Sequence, residues 1–478
     1  MSPLVSRCFF LLIFTLSSSL TFADVELPTL GDTSSNTISP EQEKQLGEQW
    51  QRAFRAQVPT SSDPLVIDYL ETLVNRLASY SQLRDKNIQL ILVENPTLNA
   101  FAVPGGVMGV NTGLLQYAKT ENQLAAVLGH EMGHLSQRHY ARQLEQEKKM
   151  MVPMLAGILA GLALAANSDG DGGMAAIMAT QAAAQSARLS FSRQNEQEAD
   201  RIGFETIVKA GMDPYSAADM FEEMLGSSRY SRRPPEYLLT HPVTESRVAD
   251  ARNRAMQYPH KPQDDNLEFK LMRTRIRVDQ QETPQYAVKM FKSELEKETD
   301  SLEASRYGLT LALTRASQFA KAREAIKPLL AKDPSRVTYQ IMRADIEVSA
   351  ERFKDGLTIL DQQLALHPDS YPLIIRKGEA LMKSGLYKEA VDLLEPYSRK
   401  RSQDDYVWYL LAEVDGLAGN ILGVHEARAE YFILNGVYDK AAIQLRNALK
   451  YTQGNHYKTA LIEERLKYVE AQMLGRQF

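Results

Sequence analysis

The sequence predicts a mainly α protein in two parts: a helical domain built around a small β-sheet, then an α-solenoid. Three observations carry that expectation. Apolar residues recur at helical spacing over most of the 478 residues. One interval, Asn87–Leu115, breaks that pattern with strand-like runs around a Pro-Gly-Gly turn. From residue 266 onward, the same residue types return every 34 positions.

The amino terminus stands apart from both parts. Arg7 precedes the apolar run "CFFLLIFTL", and the small residues Thr21 and Ala23 follow, which predicts a secretory signal over residues 1–23. The run is short for a bilayer span; an uncleaved anchor is the alternative. Cys8 is the one cysteine and would leave with the signal, so the mature chain has no disulfide and no thiolate to offer a metal. It precedes the apolar run, which argues against lipid attachment at a signal cleavage site. With 44% apolar residues, 24% charged residues and a net charge of −5, the chain has no basic surplus to neutralise phosphates. That balance argues against nucleic acid as the main partner.

Residues 24–40 read as a polar leader. "SPEQEKQLGEQWQRAFRAQ" then predicts a first helix and "DPLVIDYLETLVNRLASY" a second, started by Asp63 with Pro64 behind it. "NIQLILVEN" and "NAFAVPGGVMGVNTGLL" supply the small sheet. The next helix holds "AAVLGHEMGHLSQRH": Thr120 caps it, Gln123 completes a capping box, and Leu124, Val127, Leu128 and Leu135 form a buried stripe.

Residues 150–187 contain 17 consecutive residues without a charge, then "NSDGDGG", then an Ala- and Met-rich stretch. This predicts an apolar helical hairpin that covers a cleft or rests on a membrane surface, with a transmembrane hairpin as the alternative. Further on, Phe319, Phe353 and Tyr387 stand 34 residues apart, with Ala322, Gly356 and Ala390 three residues later in the same register. Pro334 and Pro368 follow Phe319 and Phe353 by 15 residues. That is the tetratricopeptide period, with small residues where paired helices touch and proline at the turn between repeats. Tyr438 and Ala441 repeat the pattern 51 residues after Tyr387 and Ala390, so the last repeats are irregular. Such an array presents a concave surface suited to another protein.

The chemistry lies in the middle. His130 and His134 are four residues apart and share a helix face, so both imidazoles can reach one ion, with Glu131 beside its open position. HExxH alone recurs by chance; a third ligand in a plausible place strengthens it. Gly129 and Gly133 flank the motif at a cost of about 1 kcal/mol each, which predicts close approach of something, a strand or a substrate. "SFSRQNEQEADRIGFE" places Glu196 and Asp200 on one face of a second helix, with Ala199 and Gly203 leaving room for close helix packing. Glu196 is assigned to the metal and Asp200 to the far nitrogen of a ligand histidine. Glu198 is read as a solvated charge. His241, before Pro242, falls on a turn where it can donate to an oxyanion or occupy the open metal position; a surface-loop histidine is the alternative. Arg247, one turn into the following helix, is placed to pair with these carboxylates.

HExxH, then ExxxD about sixty residues later, then His-Pro, together with "NAFAVPGGVMGVNTGLL", resembles the zinc metallopeptidase family that includes the CAAX prenyl-protein endopeptidase. With the signal and the C-terminal repeats, the chain most resembles the periplasmic beta-barrel assembly-enhancing proteases. The resemblance implies one zinc ion on His130, His134 and Glu196, Glu131 as general base, Asp200 behind the ligands, and His241 as the downstream histidine. It implies a metallopeptidase domain over 24–263, a repeat domain over 264–478, and a periplasmic location. Expected substrates are unfolded or stalled outer-membrane proteins, with the outer-membrane assembly machinery as partner of the repeats. The alternatives are a chaperone or scaffold with a latent protease site, and a membrane-embedded peptidase.

Overall fold

The computed structural model describes residues 38–167, 171–230, 235–260, 266–298 and 301–475. The predicted signal over 1–23 and the start of the leader lie outside them. Ser39 begins α1 (Pro40–Arg55) with a reciprocal capping box through Gln42, and Asp63 begins α2 (Pro64–Tyr80) by accepting from the Leu65 and Val66 N–H groups. Three strands follow: β1 (Gln89–Val93), β2 (Ala100–Val103) and β3 (Val107–Asn111), in the order β1-β3-β2. β1 runs parallel and β2 antiparallel to β3, with the β2–β3 turn made by Gly105 and Gly106 at φ +84° and +81°. β2 is thus an edge. Asn99 O accepts from Asn111 N–H on the inner side, so Ala100 and Ala102 turn their main-chain groups outward.

The histidine helix is α4 (Glu121–Ser136), reached through the short α3 (Thr112–Tyr117). Thr120 accepts from Gln123 N–H as expected, but Gln123 Oε1 accepts in return from Lys119 N–H, one residue earlier than a capping box requires. The predicted apolar stripe understates α4, because Glu121–Gly133 is buried on every side. It is the central helix, enclosed by α2, β2, α6 (Asp171–Lys209) and α7 (Ser216–Tyr230).

The two glycines identify what approaches α4. A methyl group on Gly133 would stand 2.8 Å from Ala199 O, and one on Gly203 2.8 Å from the main chain of Gly129. The approaching element is α6, crossing backbone against backbone, and this crossing carries Glu196 and Asp200 to the histidines. It is neither a strand nor a substrate.

α5 (His139–Asn167) and α6 pack side by side and extend beyond 150–187 at both ends. α6 runs 39 residues because no proline interrupts it from the Ala-rich arm to Lys209. Met151, Leu155 and Leu159 on α5 and Met178 and Leu189 on α6 are exposed. Among the described residues, no helix is long and apolar enough to cross a membrane.

Twelve further helices, α10 (Leu267–Asp279) to α21 (His456–Gly475), form the solenoid. Phe319, Phe353 and Tyr387 open α13 (Phe319–Lys332), α15 (Phe353–Leu366) and α17 (Tyr387–Lys400). Ala322 and Ala390 are fully buried, and a methyl on Gly356 would meet Val348 at 2.6 Å, so the small residues do mark helix contacts. Ile421 opens α19 (Ile421–Leu434) 34 residues after Tyr387, in register but without the aromatic. Tyr438 opens α20 (Tyr438–Leu449) half a repeat later, which accounts for the odd spacing.

The solenoid is fastened to the first two helices. Buried Arg275 of α10 pairs with Asp63 through its Nε at 2.9 Å, and Arg401 grips Glu71 with two bonds of 2.7 and 3.0 Å. One apolar core runs from Leu65 of α2 through α10 to Leu373 and Ala380.

Candidate metal centre

Four segments meet at one point. α4 supplies His130, Glu131 and His134, α6 supplies Glu196 and Asp200, and the turn after α8 (Glu236–Thr240) supplies His241. Arg247 comes from α9 (Glu245–Ala255), which Thr244 caps. One ligand atom each from His130, His134, Glu196 and His241 lies within 4.8 Å of the others.

The spacings test whether these residues suit a metal ion. Bond lengths of 2.0–2.1 Å put the corners of a tetrahedral site about 3.3 Å apart. His130 Nε2 is 3.0 Å from His134 Nε2 and 3.4 Å from Glu196 Oε2, and His134 Nε2 is 3.3 Å from Glu196 Oε1. His241 Nδ1 lies 3.4 Å from His130 Nε2 and 3.0 Å from Glu196 Oε1, at the fourth corner. Two imidazoles and a carboxylate therefore converge at spacings that fit a metal ion, with His241 beside them.

The charges around the cluster act on its members in different directions. Burial pushes His134 down to about 3, against the opposing pull of Glu196, so its ring is neutral and offers a lone pair. Burial acts to lower His130 too, but Asp200 and Glu196 outweigh it and raise the ring to about 10. Glu196 is raised by burial yet held far below the usual carboxylate range by the surrounding imidazoles. Glu131, 1% exposed, is pushed up by burial despite His241 and His130, while the outward-facing N–H of Ala102 bonds to it.

Asp200 Oδ1 lies 2.9 Å from His130 Nδ1, though the approach is off the N–H direction. Arg247 holds Asp200 with two bonds of 2.7 Å, lies 3.1 Å from Glu196, and donates to Pro242 O at 2.7 Å. That last bond ties the turn bearing His241 to the cluster. His241 stacks on Tyr237 at 4.8 Å between ring centroids, and its Nε2 points to Glu131 Oε1 at 3.6 Å.

Two features were not foreseen. Glu198 is not a solvated charge: it accepts from Arg142 at 2.6 Å and lies 3.1 Å from His139 Nε2. His139 itself, 5% exposed, places Nδ1 2.8 Å from His134 Nδ1. Nothing in the helical spacing flagged it, because a residue five beyond His134 falls off the ligand face of a continuous helix.

Comparison with known proteins places the arrangement. Residues 64–255 match Peptidase family M48, and residues 347–414 match a tetratricopeptide repeat family. The chain is 32% identical over 447 residues to the beta-barrel assembly-enhancing protease of Escherichia coli strain K12, covering 91% of each chain. Identity to the protein of that name from Yersinia pestis is 32% over 427 residues, 88% of this chain and 87% of the other. The mitochondrial metalloendopeptidase OMA1 of Arabidopsis thaliana is 33% identical over 172 residues, 36% of this chain and 32% of its own. Similarity spanning both the segment that bears His130, His134, Glu196 and His241 and the solenoid settles the assignment: the chain belongs to the beta-barrel assembly-enhancing protease family, as an M48 metallopeptidase carrying tetratricopeptide repeats.

Proposed function

We propose that this metallopeptidase is a zinc-dependent endopeptidase of the periplasm that degrades misassembled outer-membrane proteins. The convergence of His130, His134 and Glu196 at tetrahedral spacing, beside the buried carboxyl of Glu131, carries this reading. Two imidazoles, one carboxylate and no thiolate favour zinc. A zinc ion bound there would supply a Lewis acid that polarises the scissile carbonyl and makes water a better nucleophile. Glu131 takes the proton of the attacking water and passes it to the leaving amine nitrogen, a role that its raised pKa suits. Asp200, held by Arg247, fixes His130.

An extended substrate would pair with the outward main-chain groups of Ala100 and with the carbonyl of Ala102 on β2, the Ala102 N–H being engaged by Glu131. Main-chain pairing asks little of sequence, which suits unfolded or stalled chains. The exposed apolar residues of the α5–α6 hairpin support contact with such chains or with a membrane surface. The reading removes 1–23 as a signal, assigns catalysis to 24–263, and gives 264–478 the task of meeting the outer-membrane assembly machinery.

A second reading, a scaffold with a latent protease, has its own observation. His241 takes the fourth corner, and Tyr237 N–H reaches Leu98 O at 3.3 Å on the edge that a substrate would use. The test compares wild type with Glu131→Gln, both assayed for bound zinc, on an unfolded outer-membrane barrel protein. Cleavage by wild type alone supports the peptidase and its base. Zinc in both with cleavage by neither supports latency, and absence of zinc from both overturns the metal reading.

A further inference from the structure

Metal-ligating histidines ordinarily donate their second ring N–H to a carboxylate or carbonyl, which fixes the tautomer and orients the ring. His130 meets Asp200 on that side, whereas His134 meets another histidine. With Nε2 of His134 facing the cluster, its Nδ1 carries the proton, and Nδ1 of His139, 2.8 Å away, must accept it. The proton of His139 then sits on Nε2 and is donated to Glu198 Oε2 at 3.1 Å. Arg142 Nη1 donates to the same oxygen at 2.6 Å. Each donor in this chain has one acceptor, so every tautomer is determined.

The backbone is shaped to make the contact. Five residues along a continuous helix turn a side chain about 140° away from the first. Here the helix breaks after Ser136, and Arg138 takes a left-handed conformation at φ +50°, which swings His139 back against His134. The break is pinned from outside: Arg138 donates to Glu43 Oε2 at 3.0 Å and to Ile38 O at 2.6 Å.

We infer that His139 is a positioning residue for His134, relaying the Glu198 carboxylate to it through an imidazole, with Arg142 holding Glu198 in place. The inference rests on the reading of His134 as a metal ligand. The relay orients the His134 ring and makes its Nε2 a better donor, and its outer members lie on α5 and α6, at the base of the hairpin.

The experiment measures the zinc dissociation constant by chelator competition and the visible spectrum of the cobalt(II) form, using the mature full chain. His139→Phe keeps a ring but cannot accept a proton, and weakens zinc binding 10–100-fold, about the usual effect of losing an outer partner. His139→Asn offers a carbonyl to His134 Nδ1–H and restores part of the affinity. Glu198→Gln, which touches neither His134 nor the metal site, keeps the fold, weakens binding less than His139→Phe, and shifts the cobalt bands. Wild-type affinity in His139→Phe overturns the relay, as does an Asn variant no better than Phe. Should His139→Phe fail to fold, Glu198→Gln decides, and wild-type affinity with an unshifted spectrum overturns the proposal. Failure of the wild type itself to bind metal is a different result, and sinks the metal reading instead.

Discussion

His241 Nδ1 lies 3.0 Å from Glu196 Oε1, while the other nitrogen of the same ring faces Glu131 Oε1 at 3.6 Å. One side chain thus stands at the fourth corner of the proposed site and against the carboxylate proposed to take the water's proton. On the latent-protease reading, this arrangement is the closed one. Replacing His241 by Ala leaves the proposed ligands His130, His134 and Glu196 in place, and the rate on an unfolded barrel substrate is expected to rise about tenfold as an internal competitor is removed. An unchanged or lower rate would instead assign His241 to stabilising the transition state.

The α4–α6 crossing reverses the usual sign of a glycine substitution. In an exposed helix, Gly→Ala stabilises by about 1 kcal/mol. At Gly133 the new methyl meets Ala199 backbone at 2.8 Å, and neither helix can yield without moving a proposed ligand. Gly133→Ala is expected to destabilise by about 1–3 kcal/mol in urea unfolding and to lower zinc affinity with it. A stabilised variant would show that the crossing is looser than described.

Arg275 and Asp63 form a buried pair that joins solenoid to peptidase. Arg275→Met strands the carboxylate and costs about 3–5 kcal/mol, whereas adding Asp63→Asn recovers most of that loss. Thermal unfolding of the two single variants and the double variant reads the coupling directly. Additive losses would mean that the pair contributes only through packing.

Asp68 of α2 lines a cavity with Glu268 and with Arg336, which precedes α14 (Val337–Ser349). Burial, and then Glu71 nearby, raise its carboxyl from 3.8 to about 6. A folded-state value above the unfolded one means that folding takes up a proton, so this group adds stability as pH falls from above 6 towards 3.8. Asp68→Asn removes the dependence. Its melting temperature should exceed that of wild type at about pH 8, and the gap should close by about pH 4. A gap of the same size at both values would trace the effect to something other than ionisation.

Much of this was legible beforehand, for identifiable reasons. Capping residues, the Pro-Gly-Gly turn and the 34-residue period are local or repeating signals, and they located the elements. Ala199 and Gly203 pointed to close helix packing, whereas Gly129 and Gly133 pointed only to some close neighbour, a strand or a substrate; only the structure shows that each pair answers the other. What stayed hidden depends on departures from regular geometry. His139 is brought to His134 by one left-handed residue, and Ile421 opens a repeat helix without the aromatic that marks the others. Glu198 looked solvated because its partners lie on α5, whose path relative to α6 no periodicity encodes.

The unbroken run of α6 has a mechanical consequence. Met178 and Glu196 sit on one rod, about 27 Å apart along its axis. No hinge residue lies between them to absorb a deflection, so the distal arm and the carboxylate move as one stiff body. A load on the outer arm, whether from a polypeptide or from a lipid surface, is applied as torque at the donor cluster, where a shift of a few tenths of an ångström changes what the cluster can hold.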